Sequence, residues 1–162
     1  MTIIALDPAP ALSMALDEIG DTIVIEAVGA DETMWRALVA LQTTWRSMRP
    51  RGGRIVLVLS TVGMAGAAGA VPYTTALEGI RAMAKSAARQ WASAAIGVNI
   101  IAAPARLFAT PVDASHLTIA AVRDDEKLIG SIVETALFLL RPDIEHVTGE
   151  TIVVDGGSVM LP

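Results

Sequence analysis

Residues 52–104 read "GGRIVLVLSTVGMAGAAGAVPYTTALEGIRAMAKSAARQWASAAIGVNIIAAP". An apolar, β-branched run (54–60) leads into a small-residue turn holding Gly63, Gly66 and Gly69. A long helical pattern opens at Tyr73, and a second apolar run, "VNIIAA", closes the stretch at 98–103. Near-continuous apolar strands separated by a helix are the signature of a parallel βαβ unit whose strands are covered on both faces. Working outward, "TIIAL" (2–6), "TIVIEAV" (22–28) and "TIVVD" (151–155) supply three more strands. Helical patterns fall between them: residues 10–20 closed by Gly20, 31–53 starting on acids and stopping at Pro50 and Gly52, 73–97 ending at Gly97, and 125–143 ended by Pro142. No internal repeat, linker or low-complexity stretch interrupts the series. The expectation is one α/β domain over residues 1–162, with about five parallel strands.

Composition narrows the function. Twelve basic residues against seventeen acidic ones, with a pI near 4.9, offer no electrostatic footprint for nucleic acid or anionic lipid. Without cysteine, disulfides, thiolate nucleophiles and cysteine-based zinc sites are excluded. No apolar run approaches membrane-spanning length and no cleavable leader pattern is present, so the expectation is a cytoplasmic protein. Yet 53% of residues are hydrophobic and mean hydropathy is +0.56, which is high for a soluble chain. Some of that apolar surface is expected to be covered by another subunit.

Ser60 stands at the carboxyl end of a strand and Tyr73, the chain's single tyrosine, thirteen residues later in the first turn of the following helix. Both positions overlook the crevice where open α/β sheets take ligands. A phenol and a hydroxyl there are suited to protonating and polarising a carbonyl oxygen. The three glycines are spaced GxxGxxG, which is neither of the phosphate-binding spacings, and Pro72 intervenes before the helix, so a flexible small-residue turn is the preferred reading. His116 and His146 are isolated and lack metal-ligand spacing. Asp124, Asp125 and Glu126 read as the acidic first turn of a helix, and Trp35, Trp45 and Trp91 as packing or interface residues.

The same stretch resembles the core of the short-chain dehydrogenase/reductase family, whose members read approximately GRIVNISS, a glycine-rich loop, YxxxK, an alanine-rich helix and VNxxxPG. The tail "VTGETIVVDGG" (147–157) is similar to the family's TGxxxxVDGG. Residues 3–29 resemble the family's third strand, following helix and fourth strand. The resemblance implies a Rossmann-like fold, with Ser60 and Tyr73 at the positions of the catalytic serine and tyrosine. Around them the pattern departs. Leu77 stands where the motif's lysine would bind the nicotinamide ribose and lower the tyrosine's pKa. NNAG is replaced by "IEAVG" (25–29), and the proline–glycine pair by Pro104–Ala105. Without a cation the phenol is expected to keep its ordinary pKa near 10. Neither Arg81 nor Lys85, one and two turns further along the helix, restores the relay simply, because an arginine does not deprotonate and the lysine lies too far round.

If residues 2–7 match the third strand, then the first two strands and the glycine-rich dinucleotide turn are not in this chain. Only Asp7 would remain from that half, at the position where the family's aspartate meets the adenine. The strand order would then not reverse. Right-handed crossovers would step one way, giving a partial doubly wound sheet with helices mainly on one face and the other face needing a partner. No cofactor is expected on the isolated chain, and NAD(P) only if a partner completes the site.

The leading expectation is a degenerate short-chain dehydrogenase/reductase-like protein acting as a non-catalytic structural or regulatory subunit, in a homo-oligomer or with a full-length family member. The alternative is an NAD(P)-dependent carbonyl reductase or alcohol dehydrogenase using Ser60 and Tyr73 with a partner-completed cofactor site. A third possibility is a small-molecule binder or non-redox enzyme using the same crevice, lined by "GMAGAAGAV" (63–71) and "ARLFATPV" (105–112).

Overall fold

In the computed structural model, which describes residues 1–117 and 124–160, the apolar runs form one parallel sheet. Its strands are β1 (Thr2–Leu6), β2 (Asp21–Ile25), β3 (Gly53–Ser60), β4 (Ile96–Ala103) and β5 (Thr151–Val153), in the spatial order β2-β1-β3-β4-β5. Strands β3 and β4 pair over their whole length, from Gly53↔Ile96 to Ser60↔Ala103. Both are buried almost throughout, as their unbroken apolar character requires.

The helices are α1 (Pro10–Asp17), α2 (Ala30–Met48), the single turn α3 (Val62–Ala65), α4 (Val71–Trp91) and α5 (Asp125–Leu140). Two apolar cores sandwich the sheet. Alternate residues Ile4, Leu6, Ile55, Leu57 and Ile100 meet α2 and α4 on one face. The intervening Ile3, Ala5, Val56, Val58 and Ile101 meet α1 and α5 on the other. This is the period-two geometry of a strand buried on both sides.

The five-stranded parallel, Rossmann-like sheet is therefore as expected, but two finer expectations are corrected. First, the strand order does reverse. The chain steps from β1 outward to β2, and α2 then carries it back past β1 to β3, so a switch point lies between β1 and β3. In the common order 3-2-1-4-5-6 the fourth strand neighbours the fifth. Here the strand matched to the third, β1, takes that place, and the strand matched to the fourth, β2, lies at the edge. Second, the helices are shared between the faces. Reversing direction with a right-handed crossover moves α2 to the face opposite α1. The last connection, β4–α5–β5, continues in the direction of β3–α4–β4 but places its helix on the α1 face. That makes it left-handed, against the usual rule.

Local chemistry explains the boundaries. Asp124 caps α5 by accepting from the backbone N–H groups of Glu126 (3.1 Å) and Lys127 (3.2 Å). The long helix stops at Trp91 rather than at Gly97. The chain turns on Ala95 (φ 55°), and Gly97 lies within β4, where a side chain would run into the Arg54 guanidinium. The three tryptophans are packing or surface residues. Trp45 and Trp91 stack with centroids 5.9 Å apart, Arg49 covers Trp45 at 5.5 Å, and Trp35 is exposed. No helix among the described residues is long and apolar enough to cross a membrane.

Candidate functional site

The carboxyl ends of β1, β3 and β4 carry the residues singled out by sequence. Ser60 ends β3, is only 2% exposed, and its Oγ accepts a bond from the Val62 N–H at 3.3 Å. It therefore fastens the turn into α3. Tyr73 sits in the first turn of α4 and lines a cavity of about 300 Å³ together with Ala27, Val28, Ala68 and Thr110. Ser60 is not among that cavity's lining residues. The small-residue segments 68–70 and 110–112 do form its walls.

Leu77 lies 1% exposed in the core beneath α3. Gly63 is packed so closely on it that a Cβ there would fall 2.7 Å from Leu77 Cβ. The position matched to the motif's lysine thus points into apolar packing. Arg81 is no substitute, since its guanidinium is held by both carboxylate oxygens of Glu78 on the same helix. Lys85 is exposed.

The Tyr73 phenol does not keep its ordinary pKa. Burial, which penalises the phenolate, pushes it up to about 12. The Thr110 hydroxyl beside it offsets part of that rise and the Asp7 charge adds to it. Among the described residues the buried hydroxyl makes no hydrogen bond, while the Thr110 hydroxyl donates its proton to Asp7 Oδ2. At pH 7 only about one molecule in 10⁵ would carry a phenolate.

The Asp7–Thr110 pair escaped the sequence reading, which assigned Asp7 to an adenine contact. Its partner is 103 positions away, and no local pattern joins them. Asp7 adopts φ 49°, a left-handed turn that Asp tolerates better than most residues. His116 also finds a structural role, its Nε2 lying 3.0 Å from the Gly66 carbonyl. Among the described residues no group of three His, Cys, Asp or Glu could hold a metal ion.

The motif residues at the sheet's far side are structural too. Asn99 Nδ2 donates to the Val147 carbonyl (2.9 Å), and Asn99 Oδ1 accepts from the Glu150 N–H (3.1 Å). The Val98 N–H donates to Thr148 Oγ1 (3.1 Å). The VN and TG motifs therefore bind each other and dock β5 onto β4. Asp155, 3% exposed, folds the VDGG turn by accepting from the N–H groups of Gly157, Ser158 and Val159.

These findings agree with similarity to known proteins. The family described as Enoyl-(Acyl carrier protein) reductase matches residues 10–159. The 3-oxoacyl-(acyl-carrier-protein) reductase FabG of Vibrio cholerae is 36% identical over 123 residues, covering 70% of this chain and 49% of the relative. FabG of Staphylococcus aureus (strain N315) is 31% identical over 129 residues, covering 74% and 50%. The chain spans about half the length of the curated relatives it matches. Among solved structures, a protein described as a short-chain alcohol dehydrogenase from Sinorhizobium meliloti 1021 superposes with a TM-score of 0.60 at 26% identity, covering 75% of this chain and 52% of that one. ElxO with NADP bound shares the fold at a TM-score of 0.57 and 18% identity, covering 75% and 53%. From the motifs, the sheet and this similarity together, the chain is a member of the short-chain dehydrogenase/reductase family.

Proposed function

We propose that this family member is a non-catalytic structural or regulatory subunit that works in an oligomer, with further copies of itself or with a full-length relative. The observation that carries the reading is the burial of Leu77 against Gly63. A proton relay through a tyrosine needs the phenolate to be accessible near neutral pH. Here the lysine's position is closed off by packing, and the phenol pKa is raised rather than lowered. Ser60, the expected polarising group, is committed to the backbone of its own turn.

Exposed apolar residues support the oligomer. Trp35 (62% exposed) and Val39 (42%) lie one turn apart on α2, while Leu137 and Phe138 are exposed on α5. Trp35 is an aromatic of the kind that anchors interfaces. The competing reading, a carbonyl reductase completed by a partner chain, rests on Tyr73 lining the cavity next to Thr110.

The test pairs two measurements on the purified protein, alone and mixed with a FabG-type reductase from the same source. Solution mass is expected to exceed that of a monomer, or to shift on mixing. Reduction of 3-oxoacyl thioesters with NADPH is expected to be absent from the protein alone and, in the mixture, unchanged by Tyr73→Phe. A stable monomer that ignores the relative, or turnover abolished by Tyr73→Phe, overturns the proposal.

A further inference from the structure

In a doubly wound sheet the crevice outside the carboxyl ends of the strands, at the switch point, is the position that takes a nucleotide. Its chemistry depends on a glycine-rich turn after the first strand and on free N–H groups at the N-terminus of the following helix. In this chain the turn after β1 is Asp7-Pro8-Ala9, without glycine, and α1 opens on Pro10, which has no N–H.

The space is also taken. After β4 the chain runs back across the carboxyl end of β3 to reach β1, since β3 lies between them. It is stitched there by a short antiparallel ladder. The Ala9 N–H donates to the Leu107 carbonyl (2.8 Å), the Ala109 N–H donates to the Asp7 carbonyl (2.8 Å), and Pro8 is bridged to Phe108. The Thr110 hydroxyl closes the ladder on the Asp7 carboxylate. Leu107 and Phe108 are buried in the α1/α5 core, which anchors the strap from beneath. Ser60 and Thr61, at the carboxyl end of β3, are 2% and 1% exposed. The Leu107 carbonyl thus meets the start of α1, where a phosphate oxygen would bind in a dinucleotide fold. The Asp7 carboxylate adds negative charge at the same point.

We infer that the strap Leu107–Thr110, latched by Asp7, is a built-in occupant of the switch-point crevice, and that the crevice of this chain excludes the diphosphate of a dinucleotide. The residues present do not fit NAD(P) there. The inference concerns occupancy and is independent of whether the family's carbonyl chemistry survives.

Backbone amide exchange, followed by NMR on the full chain, tests it. In the native protein the amides of Ala9 and Ala109 are expected to be protected, and millimolar NADPH or ADP leaves their exchange unchanged with no saturable binding by calorimetry. Thr110→Val removes the donor while keeping the side-chain shape. Asp7→Asn keeps a residue that accepts the left-handed turn while removing the charge. Each is expected to speed exchange at Ala9 and Ala109 by at least about tenfold, a loss of the order of one hydrogen bond. The amides of Val58 and Ile101 in the central strands stay protected, which shows that the variants fold. Exchange of Ala9 and Ala109 at unprotected rates in the native protein overturns the inference. So does saturable NADPH or ADP binding, whether or not it deprotects the strap. Binding without turnover would defeat this inference and leave the non-catalytic reading standing.

Discussion

Gly63 and Leu77 are in direct van der Waals contact across the α3–α4 junction, with the glycine's missing Cβ making room for the leucine. The pair belongs to a core that the family's motif would have to fill with a lysine stem. Leu77→Lys is expected to lower unfolding stability by about 2–5 kcal/mol, because an ammonium in this packing is desolvated and the neighbouring Glu78 carboxylate is already paired with Arg81. It should not create reductase activity. Denaturant titration and the NADPH-linked assay check both halves. A variant as stable as the parent would mean that the side chain finds water, contrary to this geometry.

Gly63→Ala probes the same contact from the other side. A Cβ placed 2.7 Å from Leu77 Cβ forces backbone or side-chain displacement, with an expected cost of about 1–3 kcal/mol. Leu77→Ala keeps the Cβ that the new methyl meets and removes only the Cδ1 atom 3.3 Å away, so a double-mutant cycle should show that it recovers little of the loss.

Because Tyr73 is the single tyrosine, ultraviolet tyrosinate absorbance reads one site. The folded midpoint is expected at about 12, against about 10 for the unfolded chain. The folded state holds its proton more tightly, so between these values the unfolded state binds fewer protons and stability falls as pH rises. This contribution is fully present below pH about 10 and is lost through about 12, amounting to about 2–3 kcal/mol. Tyr73→Phe should remove that slope. Near neutral pH it should be neutral or stabilising by up to about 1 kcal/mol, because the hydroxyl it deletes is buried without a partner among the described residues. A clear loss of stability would show that the hydroxyl has an acceptor.

Arg54, 7% exposed, donates from Nε to the Arg141 carbonyl (3.2 Å) and from Nη2 to the Pro142 carbonyl (3.4 Å). A cation at the carboxyl end of α5 satisfies carbonyls the helix leaves open and meets the negative end of its dipole. Arg54→Met is expected to cost about 1–3 kcal/mol and Arg54→Lys nearly as much, because a single ammonium cannot span both carbonyls. Thermal or denaturant unfolding decides.

Asn99→Leu should free the last strand. Losing the bonds to Val147 and Glu150 is expected to cost about 2–3 kcal/mol. The amides of Ile100 and Val154, which donate to Glu150 and Ala102 across the β4–β5 seam, should exchange faster than those of β3. Unchanged protection there would show that β5 is held by its core contacts alone.

The strands and the long alanine-rich helix were legible because local apolar period and length encode them. The runs at 54–60 and 98–103 became β3 and β4 to within a residue or two. What lay beyond the sequence was adjacency. Nothing in "TIIAL" says that it sits inside the sheet rather than at the edge, and the belief that helices would crowd one face followed from that error. The Asp7–Thr110 pair was illegible for the same reason. Ser60 and Tyr73 were found by spacing, but spacing did not reveal that one would serve a turn and the other would have its phenol buried.

The path of the strap also decides how the chain's last third is assembled. Having crossed to the α1 side, the polypeptide delivers α5 there and must travel through residues 104–150 before β5 meets β4. Three ladder pairs, Ile100↔Thr151, Ile101↔Ile152 and Ala102↔Val153, with the Asn99 and Thr148 bonds beside them, close that excursion. Long loop closure set against so short a seam makes the carboxyl-terminal strand the section whose detachment takes least free energy. It is where a protease would first find extended backbone while the four remaining strands stay folded.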